Sequence, residues 1–302
     1  MDVAEPSGER FVPEAMGDQL IEAEHQVRYR HAMQLVPRRT VLDAGCGVGW
    51  GSALLAEAGA ASVTGLDVDA GALDDASGRT DAASFVQGDL MELPFADGSF
   101  EVVVCFEAIE HVADPLAALD ELRRVLVPGG VLTVSSPNPG VYPAGNPFHV
   151  HEFPPDELRR ELLNRFRHAS GWQQHPMLAS VMRGEGHVDE GFTVTTLAQL
   201  SMPEATYSIF DASDVPIGAP EPVAVLVSGR QFTGLVELTE LLQANLEALA
   251  RAAPLALPDL PTVTARFVTA ERDHYRAELD RTLLLLLDAE QELARRLGPG
   301  PP

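Results

Sequence analysis

The sequence predicts an α/β chain: a doubly wound, mostly parallel, seven-stranded sheet with an N-terminal helical cap and a C-terminal helical extension. Three observations lead there. Between Thr40 and Ser136, short apolar runs rich in valine alternate with helical stretches, the pattern of βαβ units on a parallel sheet. A glycine-rich turn from Gly45 to Gly51 sits between the first such run and the first such helix, the place where open sheets of this kind bind nucleotides. After Phe232 the composition shifts to leucine, alanine, glutamate and arginine, so residues 1–232 are expected to form one domain and residues 233–302 a helical appendage.

Strands are expected at Thr40 to Asp43, Ser62 to Asp67, Ser84 to Gln87, Glu101 to Phe106 and Val131 to Ser135, with a helix near Gly51 to Ala58 after the glycine turn. Asp114-Pro115 starts another helix. An acid at the N-cap accepts orphan amide protons, proline presets the first helical φ, and Leu116, Leu119, Leu122, Val125 and Leu126 repeat behind them at helical spacing. Pro128-Gly129-Gly130 ends it. Four prolines and two glycines make Ser136 to Pro147 a loop, and Pro155 to Phe166 resumes as an amphipathic helix. The last two strands are expected within His168 to Met182 and at Pro222 to Ser228, on either side of an irregular insertion around Arg183 to Pro203. Further helices are expected near Leu235 to Arg251 and Val263 to Leu297. The five leucines from Leu283 to Leu287 exceed one narrow stripe, so this helix packs either on the protein's own core or in a homodimer.

A formal charge of −24 repels the phosphates of nucleic acids and an anionic membrane surface, and directs attention to a small-molecule or glycan partner. No apolar run approaches the ~20 residues that cross a bilayer. Residues 1–10 carry three carboxylates and no apolar segment, so no secretory signal is read and a cytoplasmic location is expected. The two cysteines, Cys46 and Cys105, fall in core segments as small hydrophobes rather than as a disulfide or metal pair.

Gly45, Gly47 and Gly49 let the backbone turn tightly against a ligand, since a β-carbon there clashes or forbids positive φ. Asp67 ends the second strand, with Val68 beside it, where a carboxylate accepts hydrogen bonds from both hydroxyls of a ribose; Asp89, after the third strand, is placed to meet an adenine. A nicotinamide dinucleotide is the rival ligand. Asp43, just before the turn, argues against it, because a carboxylate repels a pyrophosphate and holds an ammonium group.

Four segments in order, Val41 to Gly49, Gly65 to Asp69, Gly88 to Val103 and Leu122 to Gly130, resemble the successive motifs of class I S-adenosylmethionine-dependent methyltransferases, which have a Rossmann-like fold. The likeness runs from about Glu9 to Ser228. Gly8-Glu-Arg-Phe-Val-Pro-Glu and Asn146-Pro-Phe-His-Val-His-Glu-Phe resemble the methyltransferases of glycan and glycosylated natural-product pathways. The resemblance implies that Gly45, Cys46 and Gly47 face the methionine part of the donor, Asp67 the ribose, Asp89 and Leu90 the adenine, and Phe106 or Glu107 the sulfonium, with His25 to Arg30 as a cap.

Methyl transfer is an in-line displacement, and a hydroxyl acceptor must also lose a proton. Glu107, Glu110 and His111 follow the fourth strand, and a helical turn there brings residues i, i+3 and i+4 to one face. With His149 or His151 from the later loop, they form a set that can hold a divalent cation, Mg2+ or another. The set is similar to the Glu-x-x-Glu-His plus distal His of small-RNA 2′-O-methyltransferases and some ubiquinone-pathway O-methyltransferases. His149 is the preferred partner; His151 and Glu152 are equally explained by the helix near Pro155. A metal site, a metal-free histidine base and a purely structural cap all remain open, as do cation-π and core roles for Trp50 and Phe106. The expected activity is methyl transfer to a hydroxyl of a sugar or glycosylated metabolite. Its rivals are N- or C-methylation of a small natural product and a non-catalytic, donor-binding assembly protein.

Overall fold

The computed structural model describes residues 20–142, 148–175, 205–218 and 220–225. The chain divides into two compact units, and every described residue belongs to the one that spans Phe11–Tyr142 and Pro147–Thr233. The boundary expected at 232, the insertion at 183–203 and the C-terminal helices lie outside the described residues.

The strands are β1 (Thr40–Ala44), β2 (Ser62–Asp67), β3 (Ser84–Gln87), β4 (Phe100–Cys105), β5 (Leu126–Pro137), β6 (His168–Gln174) and β7 (Tyr207–Ser213); the α-helices are α1 (Leu20–Ala32), α2 (Trp50–Glu57), α3 (Ala70–Arg79), α4 (Pro115–Arg124) and α5 (Pro155–Arg165). They form one seven-stranded sheet in the order β3-β2-β1-β4-β5-β7-β6. Strands β1 to β5 pair in parallel. Strand β7 lies antiparallel to both β5 and β6, so the sheet is mixed, which corrects the expectation of a mostly parallel one. The physical reason is insertion: the chain crosses from β5 through α5 to the sheet edge at β6, and β7 then fills the gap between them in the opposite sense.

The seventh strand also corrects a placement. It is Tyr207–Ser213, and residues 222–225 of the expected strand form no regular element. Ser208, Asp211 and Ser213 concealed it by interrupting the apolar pattern, yet each is fully buried. Asp211 accepts from the Trp172 indole at 2.7 Å and contacts His31 Nε2 at 2.9 Å, so its charge is met inside the fold. Strand β5 begins at Leu126, ahead of Pro128-Gly129-Gly130, and Leu116 of the expected stripe is 42% exposed.

Alternation along the strands fills two cores, one on each face of the sheet. Leu42, Ala44, Val103 and Cys105 pack with Leu119 and Leu122 of α4 and Leu158 and Leu162 of α5. Val41, Val102, Val104 and Phe106 pack with Tyr29 and Ala32 of α1 and Leu55 of α2. Both cysteines are buried and neither forms a disulfide, as their core positions predicted. Asp114 caps α4 by accepting from the Ala117 amide at 3.0 Å, with Pro115 in the first turn. No helix among the described residues is long and apolar enough to cross a membrane.

This winding positions the site. From β1 the chain steps outward to β2 and β3, then returns to β4 on the other side of β1, so the switch point of the sheet, the crevice where open sheets of this kind bind ligands, falls between β1 and β4 at the carboxyl edge.

Candidate active site

At that crevice the glycine turn is a backbone structure. Gly45, Gly47 and Gly49 have φ of 83°, 54° and 72°, the left-handed region that costs an L-residue about 1–2 kcal/mol. Gly45 is also sterically closed: a β-carbon there would lie 2.5 Å from Cβ of Ala108, just past β4. The loops after β1 and β4 therefore touch through a glycine. The turn hangs from β2 by Gly45 and Cys46 amides that share the Leu66 carbonyl, at 2.7 and 2.9 Å, and by the Gly47 amide on Asp67 Oδ2 at 2.8 Å. Asp67, expected at a ribose, thus also braces the turn, and its Oδ1 accepts from the Asp69 amide at 3.0 Å. Val68 is 68% exposed beside it. Asp89 accepts from the Met91 amide at 2.8 Å, and Leu90 is buried in the core.

Asp43 lies beneath the turn, only 1% exposed. Its oxygens accept from the hydroxyls of Tyr29 (3.1 Å) and Ser52 (2.6 Å), so the carboxylate expected to hold an ammonium ties α1 and α2 to β1. Burial raises its pKa to about 6, with the two hydroxyl hydrogen bonds pulling it down and Asp67 pushing it up. Tyr29 stands at the centre of this end, edge-on to Trp50 and Phe106 with centroids 5.8 and 5.4 Å away. Phe106 is therefore packed in the core. The segment His25 to Arg30, expected as a cap, is helical, and Arg28, 2% exposed, donates to Gln174 on β6 at 3.0 Å.

Past β4 the backbone bends at Glu107, whose φ of 49° is left-handed without being glycine. Ser135 on β5 holds the bend: its hydroxyl accepts the Glu107 amide at 3.0 Å and donates to Glu107 Oε1 at 2.6 Å. Such strain persists where surroundings over-determine it, commonly at functional sites. The bend leads into a 3₁₀ turn, Ile109–His111, which buries Glu110 to 1% exposure.

The loop before α5 clasps this turn. Val150 and His151 amides donate to the Glu110 carbonyl at 2.7 and 3.2 Å, and His111 Nδ1 lies 3.1 Å from the Phe148 carbonyl. The clasp brings together Glu110, His111 and His149, with one ligand-capable atom of each within 4.8 Å of the other two. Glu107 is outside this group and on Ser135. His151 is on Glu157 of α5, 3.1 Å away, as the helix reading expected. The rings of His111 and His149 stand 5.0 Å apart, and burial, more than the neighbouring His149, lowers the His111 pKa against the Phe148 carbonyl. His149 Nδ1 contacts Glu152 Oε1 at 2.6 Å, and Tyr142 stacks on its ring at 5.5 Å.

A carbonyl only accepts, and so does a carboxylate, so a neutral imidazole facing either at Nδ1 carries its proton there and keeps a lone pair at Nε2. Metal-ligating histidines share this arrangement. Sequence reading missed Ser52, Ser135 and Tyr142 as parts of the site, placed Tyr29 only within the expected cap, and gave Glu152 to the helix near Pro155. The Asn146-to-Phe153 segment signals Glu152; Ser52, Ser135 and Tyr142 sit in unremarkable contexts and appear only in three dimensions.

Residues 42–134 match the model of a family described as "Methyltransferase domain". The chain is 39% identical over 162 residues to a "Probable S-adenosylmethionine-dependent methyltransferase" of Mycolicibacterium smegmatis, covering 52% of this chain and 62% of that protein. One of the same description from Mycobacterium tuberculosis is 37% identical over 163 residues, covering 52% and 59%. A "Sterol 24-C-methyltransferase" of Gibberella zeae is 38% identical over 118 residues, covering 37% and 31%. The chain spans about three fifths of the length of the first two relatives.

Proposed function

We propose that the chain is a class I S-adenosylmethionine-dependent methyltransferase that moves the donor's methyl group to a hydroxyl of a sugar or glycosylated small molecule; the match of residues 42–134 to a methyltransferase-domain model and the likeness to the mycobacterial relatives support it. The observation that carries this reading is the Glu110, His111 and His149 cluster, two residues past the Ala108 that abuts the glycine turn. A carbon or amine acceptor has less need of it. In the proposed step the acceptor oxygen forms a bond to the methyl carbon as the carbon–sulfur bond breaks, the sulfonium becomes a neutral thioether, and the hydroxyl proton passes to His149 Nε2. The glycine turn and Asp67 bind the donor. Glu110 and His111 orient the acceptor and offset the developing imidazolium.

The same three residues fit a divalent cation, because each offers one ligand-capable atom within 4.8 Å of the other two, two imidazoles and a buried carboxylate. Such a mixed nitrogen and oxygen set suits a transition-metal ion better than Mg2+. When bound, a cation there supplies a lowered hydroxyl pKa. The overall charge of −24 supports an uncharged small acceptor over a nucleic acid. Carbon methylation is the second reading, favoured by the resemblance to the sterol relative.

Transfer of labelled methyl to a panel of sugars and glycosides, run with chelator and with Mn2+, Zn2+ or Mg2+ restored, tests the proposal. An O-methylated product is expected; with His149 as the base turnover persists in chelator, whereas loss on chelation and recovery with Mn2+ or Zn2+ would give Nε2 to a cation in place of the proton. Product on carbon alone overturns the hydroxyl reading, and undiminished turnover in chelator overturns the metal.

A further inference from the structure

We propose that Glu152 is a positioning residue that fixes His149 in the Nδ1-protonated state and so presents the Nε2 lone pair to the acceptor. The proposal rests on the hydroxyl-transfer reading above for its purpose, but not for its geometry. Glu152 Oε1 is 2.6 Å from His149 Nδ1, and the two side chains are 14% and 7% exposed. The segment is irregular rather than helical, so the pair is not a by-product of helix periodicity. The neighbouring His151 and Glu157 pair serves α5 instead and is far more exposed, at 42% and 33%.

Stability alone gives little reason to bury such a pair, since desolvation offsets most of what the contact returns. Orientation gives a better one. In water the neutral imidazole prefers its proton on Nε2, the state in which it can neither accept a proton there nor bind a cation there. A carboxylate at Nδ1 reverses that preference, because it can only accept. Tyr142, stacked at 29° to the ring, restricts its rotation about the same contact. Glu152 therefore acts through His149, with no demand that it touch substrate, and the role holds whether Nε2 meets a proton or a cation.

The test is imidazole 15N–1H correlation spectroscopy on the full-length, 15N-labelled protein at pH 8, with the His149 signals identified by their loss in His149→Gln. His149 is expected to carry hydrogen on Nδ1 and none on Nε2. Glu152→Ala should move the proton to Nε2, whereas Glu152→Gln, which keeps an acceptor oxygen, should leave it in place. Turnover should fall about tenfold or more in Glu152→Ala at unchanged KM for S-adenosylmethionine, and recover substantially in Glu152→Gln. A wild-type His149 with hydrogen on Nε2, or a tautomer indifferent to Glu152→Ala, overturns the proposal. Failure of hydroxyl transfer with the expected tautomers would instead remove only the reading on which its purpose rests.

Discussion

The two halves of the crevice are built by different means. The turn after β1 is made of backbone: three left-handed glycines, amides hung on Leu66 and Asp67, and a β-carbon gap at Gly45 filled by Ala108. The cluster after β4 is made of side chains drawn from two segments, Glu110 and His111 on one and His149 on the other, joined by loop-to-loop hydrogen bonds. The first half suits a ligand common to many enzymes, and the second suits a particular acceptor. If that division is real, damage to the two halves should separate cleanly in binding and turnover.

The largest effect belongs to the cluster. His149→Ala should lower the rate of methyl transfer by roughly 10²- to 10⁴-fold, the usual worth of a positioned acid–base group, while the dissociation constant for S-adenosylmethionine stays within about twofold. Equal losses in both quantities would merge the two halves into one. Next is the turn. Gly45→Ala incurs a left-handed strain of about 1–2 kcal/mol and an overpacking cost of about 1–3 kcal/mol against Ala108, so calorimetry should show donor affinity down by roughly a hundredfold.

A third test sharpens the comparison beneath the turn. Asp43 titrates at about 6 in the fold against 3.8 in the unfolded chain. A raised carboxylate pKa means that the folded state binds the proton more readily between those values. Stability contributed by Asp43 is therefore present in acid and lost as pH rises from about 4 to 6, a total of roughly 3 kcal/mol. Asp43→Asn should melt at a higher temperature than the wild type at pH 7.5, with the gap closing at pH 4. A gap that widens in acid would contradict the burial argument.

The smallest effect belongs to a helix cap that is part of neither half, three residues after His111. Asp114→Ala removes one helix cap, worth about 0.5–2 kcal/mol, so the melting temperature should drop by a few degrees with kinetic constants unchanged.

The same contrast explains what was legible in the sequence. Gly45, Gly47 and Gly49 announce themselves because backbone sterics act within a few contiguous residues, and β1, β4 and β5 follow from apolar runs rich in valine and largely buried on both faces. Asp114-Pro115 is local in the same way. Strand β7 was not legible, since Ser208 and Asp211 look like loop residues until Trp172 and His31 are seen to meet the acid. The antiparallel direction of β7 escaped for a related reason, as strand direction depends on connections rather than on composition. At the site, one spacing argument grouped Glu107, Glu110 and His111, with His149 added from the later loop, and the fold brings Glu110, His111 and His149 together while leaving Glu107 outside. The bend at Glu107 sends it to Ser135 instead. Nothing local points to Tyr29 or Ser52 as the partners of Asp43.

Calorimetric titration of S-adenosylmethionine into the wild type, Gly45→Ala and His149→Ala tests the central claim most directly. The division of labour predicts saturable binding to the wild type and to His149→Ala, with binding to Gly45→Ala lost or weakened by two orders of magnitude. Absence of binding to the wild type, or affinity undisturbed by the alanine at 45, would contradict it.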